Sequence, residues 1–139
     1  MHESEPILLV EDDTVDAMTV KRALRDLKVS NLVAHAADGE EALAYLKDPA
    51  KPPPCLILLD INMPKMNGLE LLKEIKADAD LRRIPVVMLT TSTNERDIIQ
   101  SFHLSAAGYM IKPVDYKQFI ETMRTIDTYW GLSRLSKVP

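Results

Sequence analysis

The sequence predicts an α/β fold, a (βα)5 chain whose five parallel strands form a doubly wound sheet between two layers of helices. Four consecutive apolar residues at 56–59, with no polar alternation, are typical of a strand that is covered on both faces. Similar short apolar segments recur along the chain, and helical periodicity separates them. The predicted strands are 7–10, 32–37, 55–60, 86–91 and 109–113.

The predicted helices begin at capping residues and carry apolar stripes. Val20, Ala23, Leu24 and Leu27 give the first helix an apolar face. Capping pairs mark the other four helix starts. These pairs are Asp38 with Glu41, Asn67 with Glu70, Ser92 with Glu95, and Asp115 with Gln118. The last helix carries the stripe Phe119, Met123, Ile126 and Trp130.

Composition limits the domain count and the classes of function. A chain of 139 residues, 46% hydrophobic and 27% charged, fits one domain with a real core. The net charge of −4 argues against nucleic acid as a partner. Cys55 is the only cysteine, so no intrachain disulfide can form. With no signal peptide and no membrane-spanning run, we expect a soluble cytoplasmic protein without a membrane partner.

Ionisable residues follow several of the predicted strands. Asp60 ends the apolar run of the third strand, where it either begins a turn or faces a ligand. If the strand order is 2-1-3-4-5, Glu11 and Asp12 lie in the same cleft as Asp60, at the point where the winding reverses. Carboxylates so close together favour a divalent cation bound through oxygen. Lys112 and Thr90 end the fifth and fourth strands, and Asp13 is interpreted as a helix cap.

Four separated motifs resemble the receiver domain of two-component response regulators. They are VEDD at 10–13, LLDINMPKMNG at 58–68, the threonine that ends VVMLT at 86–90, and GYMIKP at 108–113. The resemblance covers about residues 6–128 and implies the flavodoxin-like receiver fold with strand order 2-1-3-4-5. It also implies a cis peptide bond between Lys112 and Pro113, and a loop after the third strand that is shaped by Pro64 and Gly68.

The resemblance implies that Asp60 accepts a phosphoryl group from a sensor histidine kinase. Mg²⁺ would be held by Asp12, Asp60 and the backbone carbonyl of Asn62, with Glu11 acting through a metal-bound water. Lys112 would contact a phosphoryl oxygen. The only catalysis expected is phosphotransfer to the chain's own aspartate and autodephosphorylation, so the protein would not be an enzyme in the usual sense.

Thr90 and Tyr109 would be the switch residues in such a receiver. The hydroxyl of Thr90 would assist at the phosphoryl group, and the ring of Tyr109 would turn inward. Outside the resemblance, an ordinary strand position is the preferred interpretation of both residues. The output would be a population shift at the surface of the fourth helix, fifth strand and fifth helix.

The segment after the last helix bears on the subtype. We expect a single receiver domain over 1–139, with its core at about 6–130, a short tail at 131–139 and no output domain. The runs 81–98 and TIDTYWGLS resemble small regulators paired with phytochrome-type kinases. That narrower match would imply a light-sensing kinase as donor and a possible homodimer. A phosphorelay intermediate or phosphate sink remains an alternative.

Two other classes of protein share parts of this pattern. A haloacid-dehalogenase-type phosphatase also uses an aspartate at a strand end, but its second carboxylate is replaced here by Asn62. An FMN-binding flavodoxin-like protein needs a first loop that cradles phosphate, and the acidic residues 11–13 would repel it. The receiver interpretation is therefore preferred.

Overall fold

The structure is a computed structural model. It describes residues 5–63, 66–90, 95–113, 115, 117–122 and 124–125, except the side chains of Thr90 and Glu95. Within these residues the strands are β1 (Ile7–Val10), β2 (Val33–Ala36), β3 (Leu56–Asp60), β4 (Val86–Thr90) and β5 (Gly108–Ile111). The helices are α1 (Thr14–Asp26), α2 (Gly39–Lys47), α3 (Gly68–Ala77) and α4 (Glu95–His103), followed by the helical residues 117–122 and 124–125 of α5.

The strands form one parallel sheet in the order β2-β1-β3-β4-β5, which confirms the predicted topology. In the central pairing, Val10 of β1 is aligned with Leu59 of β3, so that residues 11 and 60 leave the sheet at the same edge. β1 lies between β2 and β3. The change of winding direction thus falls between β1 and β3, where we expected the cleft.

Alternate strand residues enter two separate cores, one on each face of the sheet. One core joins Leu8, Leu59 and Met88 to residues of α2 and α3. The other joins Leu9 and Leu58 to α1 and to the start of α5. This arrangement confirms that helices cover both faces of the sheet. Cys55 is buried among apolar neighbours.

The edge strand β2 is shorter and less buried than predicted. It runs over Val33–Ala36 instead of 32–37, and only Ala36 is fully buried. Leu32, which we had placed in the strand, is 77% exposed. An edge strand has a partner on one side only, so its apolar residues report a core position less reliably than those of the central strands.

The predicted helix caps are present wherever the structure describes them. Asp13, Asp38 and Asp115 each accept a hydrogen bond from a backbone N–H three residues later, at 2.8–3.0 Å. Asn67 and Glu70 form a reciprocal capping box. The cap of α1 by Asp13 confirms the interpretation of that residue.

Some sequence-based predictions fall outside the described residues. These are the Ser92 cap, Pro64, the side chain of Thr90, the apolar stripe beyond Phe119, and the tail 131–139. Among the described helices, none is long and apolar enough to cross a membrane.

Candidate functional site

Three carboxylates meet at the carboxyl edge of the sheet. Glu11 and Asp12 follow β1, and Asp60 is the last residue of β3. One carboxylate oxygen from each of the three lies within 4.8 Å of the others. The sequence prediction of a shared cleft is therefore confirmed for this acidic cluster of Glu11, Asp12 and Asp60.

The members of the acidic cluster differ in exposure. Glu11 is 1% exposed and Asp60 is 6% exposed, whereas Asp12 is open to solvent. Asp60 is therefore enclosed, although it ends a strand. Ionised carboxylates at such depth require a compensating positive charge.

Lys112, one residue beyond β5, provides that charge. Its ammonium forms an ion pair with Glu11 and lies 3.1 Å from Asp16 Oδ2 on α1. The distance from Lys112 Nζ to Asp60 Oδ1 is 3.7 Å, too long for a hydrogen bond. Lys112 thus lies near Glu11, Asp16 and Asp60, but among the described side chains it donates hydrogen bonds only to Glu11 and Asp16.

Burial and mutual repulsion make these carboxyl groups reluctant to ionise. Burial raises the pKa of Glu11 to about 7, against the opposing hydrogen bond from Lys112. Burial also raises the pKa of Asp60, although its hydrogen bond with Glu11 and the charge of Lys112 offset part of the rise. For Lys112, burial lowers the pKa, but its partners Glu11 and Asp60 outweigh this and leave the pKa above its usual value.

The loop after β3 is held tightly against the backbone of Asp60. Gly68 donates its N–H to the carbonyl oxygen of Ile61 at 2.8 Å. A Cβ atom at Gly68 would collide with the Asp60 carbonyl oxygen and would lie 2.8 Å from Ile61 Cα. The Asp60 carboxylate also accepts a hydrogen bond from the backbone N–H of Asn62. The first residue of α3 therefore packs directly against the last residue of β3.

The loop after β1 is fixed from two sides. His35 on β2 donates from Nε2 to the backbone carbonyl of Glu11 at 2.7 Å, which requires the tautomer with its proton on Nε2. The backbone N–H of Asp13 lies 3.3 Å from Glu11 Oε2. These contacts hold Glu11 and Asp12 in place beside Asp60.

Residues 7–124 match the response regulator receiver domain. The chain belongs to this family. The family assignment agrees with the strand order and with the acidic cluster at the switch point of the sheet. It confirms the resemblance drawn from the four sequence motifs.

This receiver is similar to several response regulators, and some of these are named for phytochromes. Response regulator Rcp1 from Synechocystis sp. is 41% identical over 135 residues, which is 92% of each chain. The structure of the bacteriophytochrome response regulator AtBRR has a TM-score of 0.82 at 38% identity, covering 93% of this chain and 96% of that one. The phosphorylated cyanobacterial phytochrome response regulator RcpA has a TM-score of 0.75 at 39% identity, covering 98% and 97% of the two chains.

The receiver's proposed switch residues lie on neighbouring strands. Thr90 ends β4 and is paired with Ile111, the residue before Lys112. Tyr109 is half-buried on β5 and packs against the core formed with α2 and α3. The peptide bond between Lys112 and Pro113 is cis, as the resemblance implied.

Two residues of the receiver site were missed by sequence reasoning. Asp16 lies four positions after Asp12, in the first turn of the helix that Asp13 caps. That spacing was the available signal for Asp16. His35 occupies an exposed position of an edge strand, and nothing in the sequence indicates that its ring reaches the carbonyl of Glu11.

The acidic cluster fits a divalent cation. Its donors are all carboxylate oxygens, the ligands that hard cations such as Mg²⁺ prefer. Asp12 is open to solvent, so a bound ion there would retain water ligands, as Mg²⁺ usually does. Among the described residues, the site contains four carboxylates when Asp16 is included, and the ammonium of Lys112 lies near three of them, those of Glu11, Asp16 and Asp60. An additional positive charge would relieve their repulsion.

Proposed function

We propose that this receiver accepts a phosphoryl group on Asp60 from a sensor histidine kinase, in a reaction that needs Mg²⁺. The observation that carries the proposal is the placement of the Asp60 carboxylate at the end of β3, inside the acidic cluster and 3.7 Å from the Lys112 ammonium. A nucleophilic carboxylate with a nearby fixed cation and a metal-binding cluster is the arrangement that phosphoryl transfer requires.

The transfer conserves charge and atoms in a simple displacement. An Asp60 carboxylate oxygen attacks the phosphorus of a phosphohistidine on the donor. The P–N bond breaks as the P–O bond forms, and the released imidazole retains the electron pair and takes a proton from solvent. Lys112 then donates a hydrogen bond to an oxygen of the transferred group. The reaction is self-catalysed, and later hydrolysis by water returns Asp60 to its free form.

Asp12 and Asp60 would hold Mg²⁺ directly, together with the backbone carbonyl of Asn62. Glu11 would act through a metal-bound water, because its carboxylate is buried and already paired with Lys112. When bound, the ion supplies positive charge that offsets the charge developing on the phosphoryl oxygens. The Mn²⁺-bound form of response regulator Rcp1, a structure 40% identical to this chain, supports the binding of a divalent ion.

Thr90 and Tyr109 are the proposed switch pair. Thr90 ends β4 one strand away from Asp60, so a threonine hydroxyl at this position suits contact with a phosphoryl group. Tyr109 is half-buried on β5, next to α4, and a change in its ring position would alter the surface there. Phosphorylation would then signal by changing how that surface associates with other proteins.

The proposed donor is a phytochrome-type kinase. Support comes from AtBRR and RcpA, whose names describe bacteriophytochrome and phytochrome response regulators. The working unit is a single receiver domain over 1–139, active in the cytoplasm, and a homodimer is its proposed assembly. Response regulator Rcp1 supports the single-domain proposal, because the match spans 92% of each chain.

Treatment with acetyl phosphate and intact-mass measurement tests the acceptor. The wild type should gain one phosphoryl group in Mg²⁺ and none in excess chelator. Asp60→Asn should gain none, while Asp13→Asn, a helix-cap substitution outside the acidic cluster, should label like the wild type. Equal labelling of Asp60→Asn and the wild type would contradict the assignment of Asp60.

A further inference from the structure

Asp16 makes a contact that the phosphotransfer chemistry above does not use. Its Oδ2 atom lies 3.1 Å from Lys112 Nζ, whereas Asp60 Oδ1 lies 3.7 Å away from the same nitrogen. Asp16 belongs to the first turn of α1 and is not part of the acidic cluster. The cation closest to the proposed acceptor is therefore bound to a carboxylate on another element.

Lys112 has a limited number of hydrogen-bond donors. An ammonium carries three N–H groups, and two of them are directed at Glu11 and Asp16. A phosphoryl group on Asp60 brings further acceptor oxygens to the same ammonium. The contacts to Glu11 and Asp16 therefore compete with the contact to the phosphoryl group, because all of them depend on the position and the charge of one ammonium.

The two existing contacts are not equally easy to give up. The Glu11 side chain is 1% exposed, so that losing Lys112 would leave a buried carboxylate without its cation. The Asp16 side chain is 42% exposed and can be solvated by water after separation. Asp16 is consequently the partner that Lys112 can release at the lower cost.

We propose that Asp16 is a positioning residue that holds Lys112 in the unphosphorylated protein and is exchanged for a phosphoryl oxygen when Asp60 is modified. This inference rests on the proposed role of Asp60. Its consequence is that Asp16 disfavours the presence of a phosphoryl group on Asp60 in two ways. The Asp16–Lys112 contact stabilises the unmodified state, and the negative charge of Asp16 repels the incoming phosphoryl group.

A purely structural role for Asp16 has a different signature. An acidic residue in the first turn of a helix stabilises that helix through the macrodipole. If Asp16 did only this, its neutralisation would lower the melting temperature and leave affinity for a phosphoryl mimic unchanged. The two roles are therefore separated by measuring binding together with stability.

The experiment is a titration of wild type, Asp16→Asn and Asp16→Ala with beryllium fluoride at a fixed, saturating Mg²⁺ concentration, followed by ¹⁹F NMR. Asp26→Asn is the matched control, because it removes an exposed carboxylate from the same helix about 15 Å along its axis from Asp16. Both Asp16 variants should bind about three- to tenfold more tightly than the wild type, equivalent to about 0.7–1.4 kcal/mol. Asp26→Asn should match the wild type.

The outcomes separate this inference from the proposed function. Wild-type binding that is lost in Asp60→Asn, combined with unchanged or weaker binding by both Asp16 variants, would overturn the role of Asp16 alone. Tighter binding by Asp26→Asn to the same extent would also overturn it, since the effect would then be one of net charge. Wild-type binding that survives Asp60→Asn would overturn the acceptor assignment and this inference with it.

Discussion

Lys112 Nζ lies 3.7 Å from Asp60 Oδ1, within ion-pair range but beyond hydrogen-bonding distance, although both side chains are more than 90% buried. The ammonium is drawn instead toward Glu11 and Asp16. Asp60 is thus a buried carboxylate whose charge is only partly compensated. This relationship determines how the free protein responds to mutation, pH and metal.

Neutralising Asp60 should stabilise the metal-free protein. Asp60→Asn removes a carboxylate whose pKa is raised by burial, so the charge that the fold tolerates poorly near neutral pH disappears. In chelator at pH 8 we expect the melting temperature to rise by about 3–6 °C, the shift that about 1 kcal/mol produces in a domain of this size. Millimolar Mg²⁺ should stabilise the wild type and have little effect on the variant. Destabilisation with a full Mg²⁺ response would make Asp60 a structural turn residue.

Stability of the metal-free protein should fall as the pH rises toward neutrality. Burial raises the pKa of Glu11 from its usual value to about 7 in the folded protein, so folding favours the protonated form. The corresponding stability is present in full at low pH and is lost as the pH rises through about 7. Between pH 5.5 and 8 the loss should be about 1–3 kcal/mol in urea denaturation with chelator present.

The Glu11 variant and its control test the source of that pH dependence. Glu11→Gln should remove most of the difference between pH 5.5 and 8. Glu74→Gln, which neutralises an exposed carboxylate on α3, should keep the wild-type pH profile. A Glu11→Gln profile identical to that of the wild type would place the titrating group elsewhere.

A side chain at Gly68 should disturb the acceptor loop. A Cβ atom there would meet the backbone of Asp60 and Ile61, which cannot move without distorting β3. Gly68→Ala should therefore reduce the free energy of unfolding by about 1–3 kcal/mol. Gly39→Ala is the control, because its Cβ would lie 2.9 Å from Met66 Cβ, a milder overlap than the one at Gly68, and should cost less. Equal losses of the free energy of unfolding in the two variants would show that the Asp60 backbone moves easily to accommodate the added Cβ atom.

Association is the proposed output, and α4 offers a place to test it. Ile99 and Phe102 on this helix are 67% and 50% exposed, and α4 packs against β5, which carries Tyr109. Beryllium fluoride with Mg²⁺ should change the average mass measured by light scattering, and Phe102→Ser should abolish that change. Leu32→Ser, at the opposite edge of the sheet and 77% exposed, should leave it intact. An unaltered response in Phe102→Ser would exclude α4 from the output surface.

Local sequence patterns predicted the elements of this fold well. Helix caps such as Asp38 and Asn67 depend on residues three positions apart, so the sequence contains all the information needed. Central strands are buried on both faces, which leaves an unbroken apolar run such as 56–59. The ends of β2 were misplaced because an edge strand lacks that signal.

The sequence predicted which residues form the candidate site, but it did not predict the contacts between them. The strand ends identified Glu11, Asp12 and Asp60, because a parallel sheet brings such residues to one edge. The ion pair between Asp16 and Lys112 joins residues 96 positions apart and depends on the reach of two side chains. Periodicity carries no information about such a contact, and the same holds for the burial of Asp60.

The hydrogen bond from His35 to the Glu11 carbonyl gives this receiver a spectroscopic reporter at its outer edge. The imidazole belongs to the solvent-facing edge strand, yet its Nε2 atom lies 2.7 Å from the Glu11 carbonyl oxygen, on the backbone that positions the acidic cluster. Its ¹⁵N and ¹H resonances are therefore sensitive to any displacement of that loop. Events at the buried carboxylates can be followed from an exposed ring without labelling the site itself.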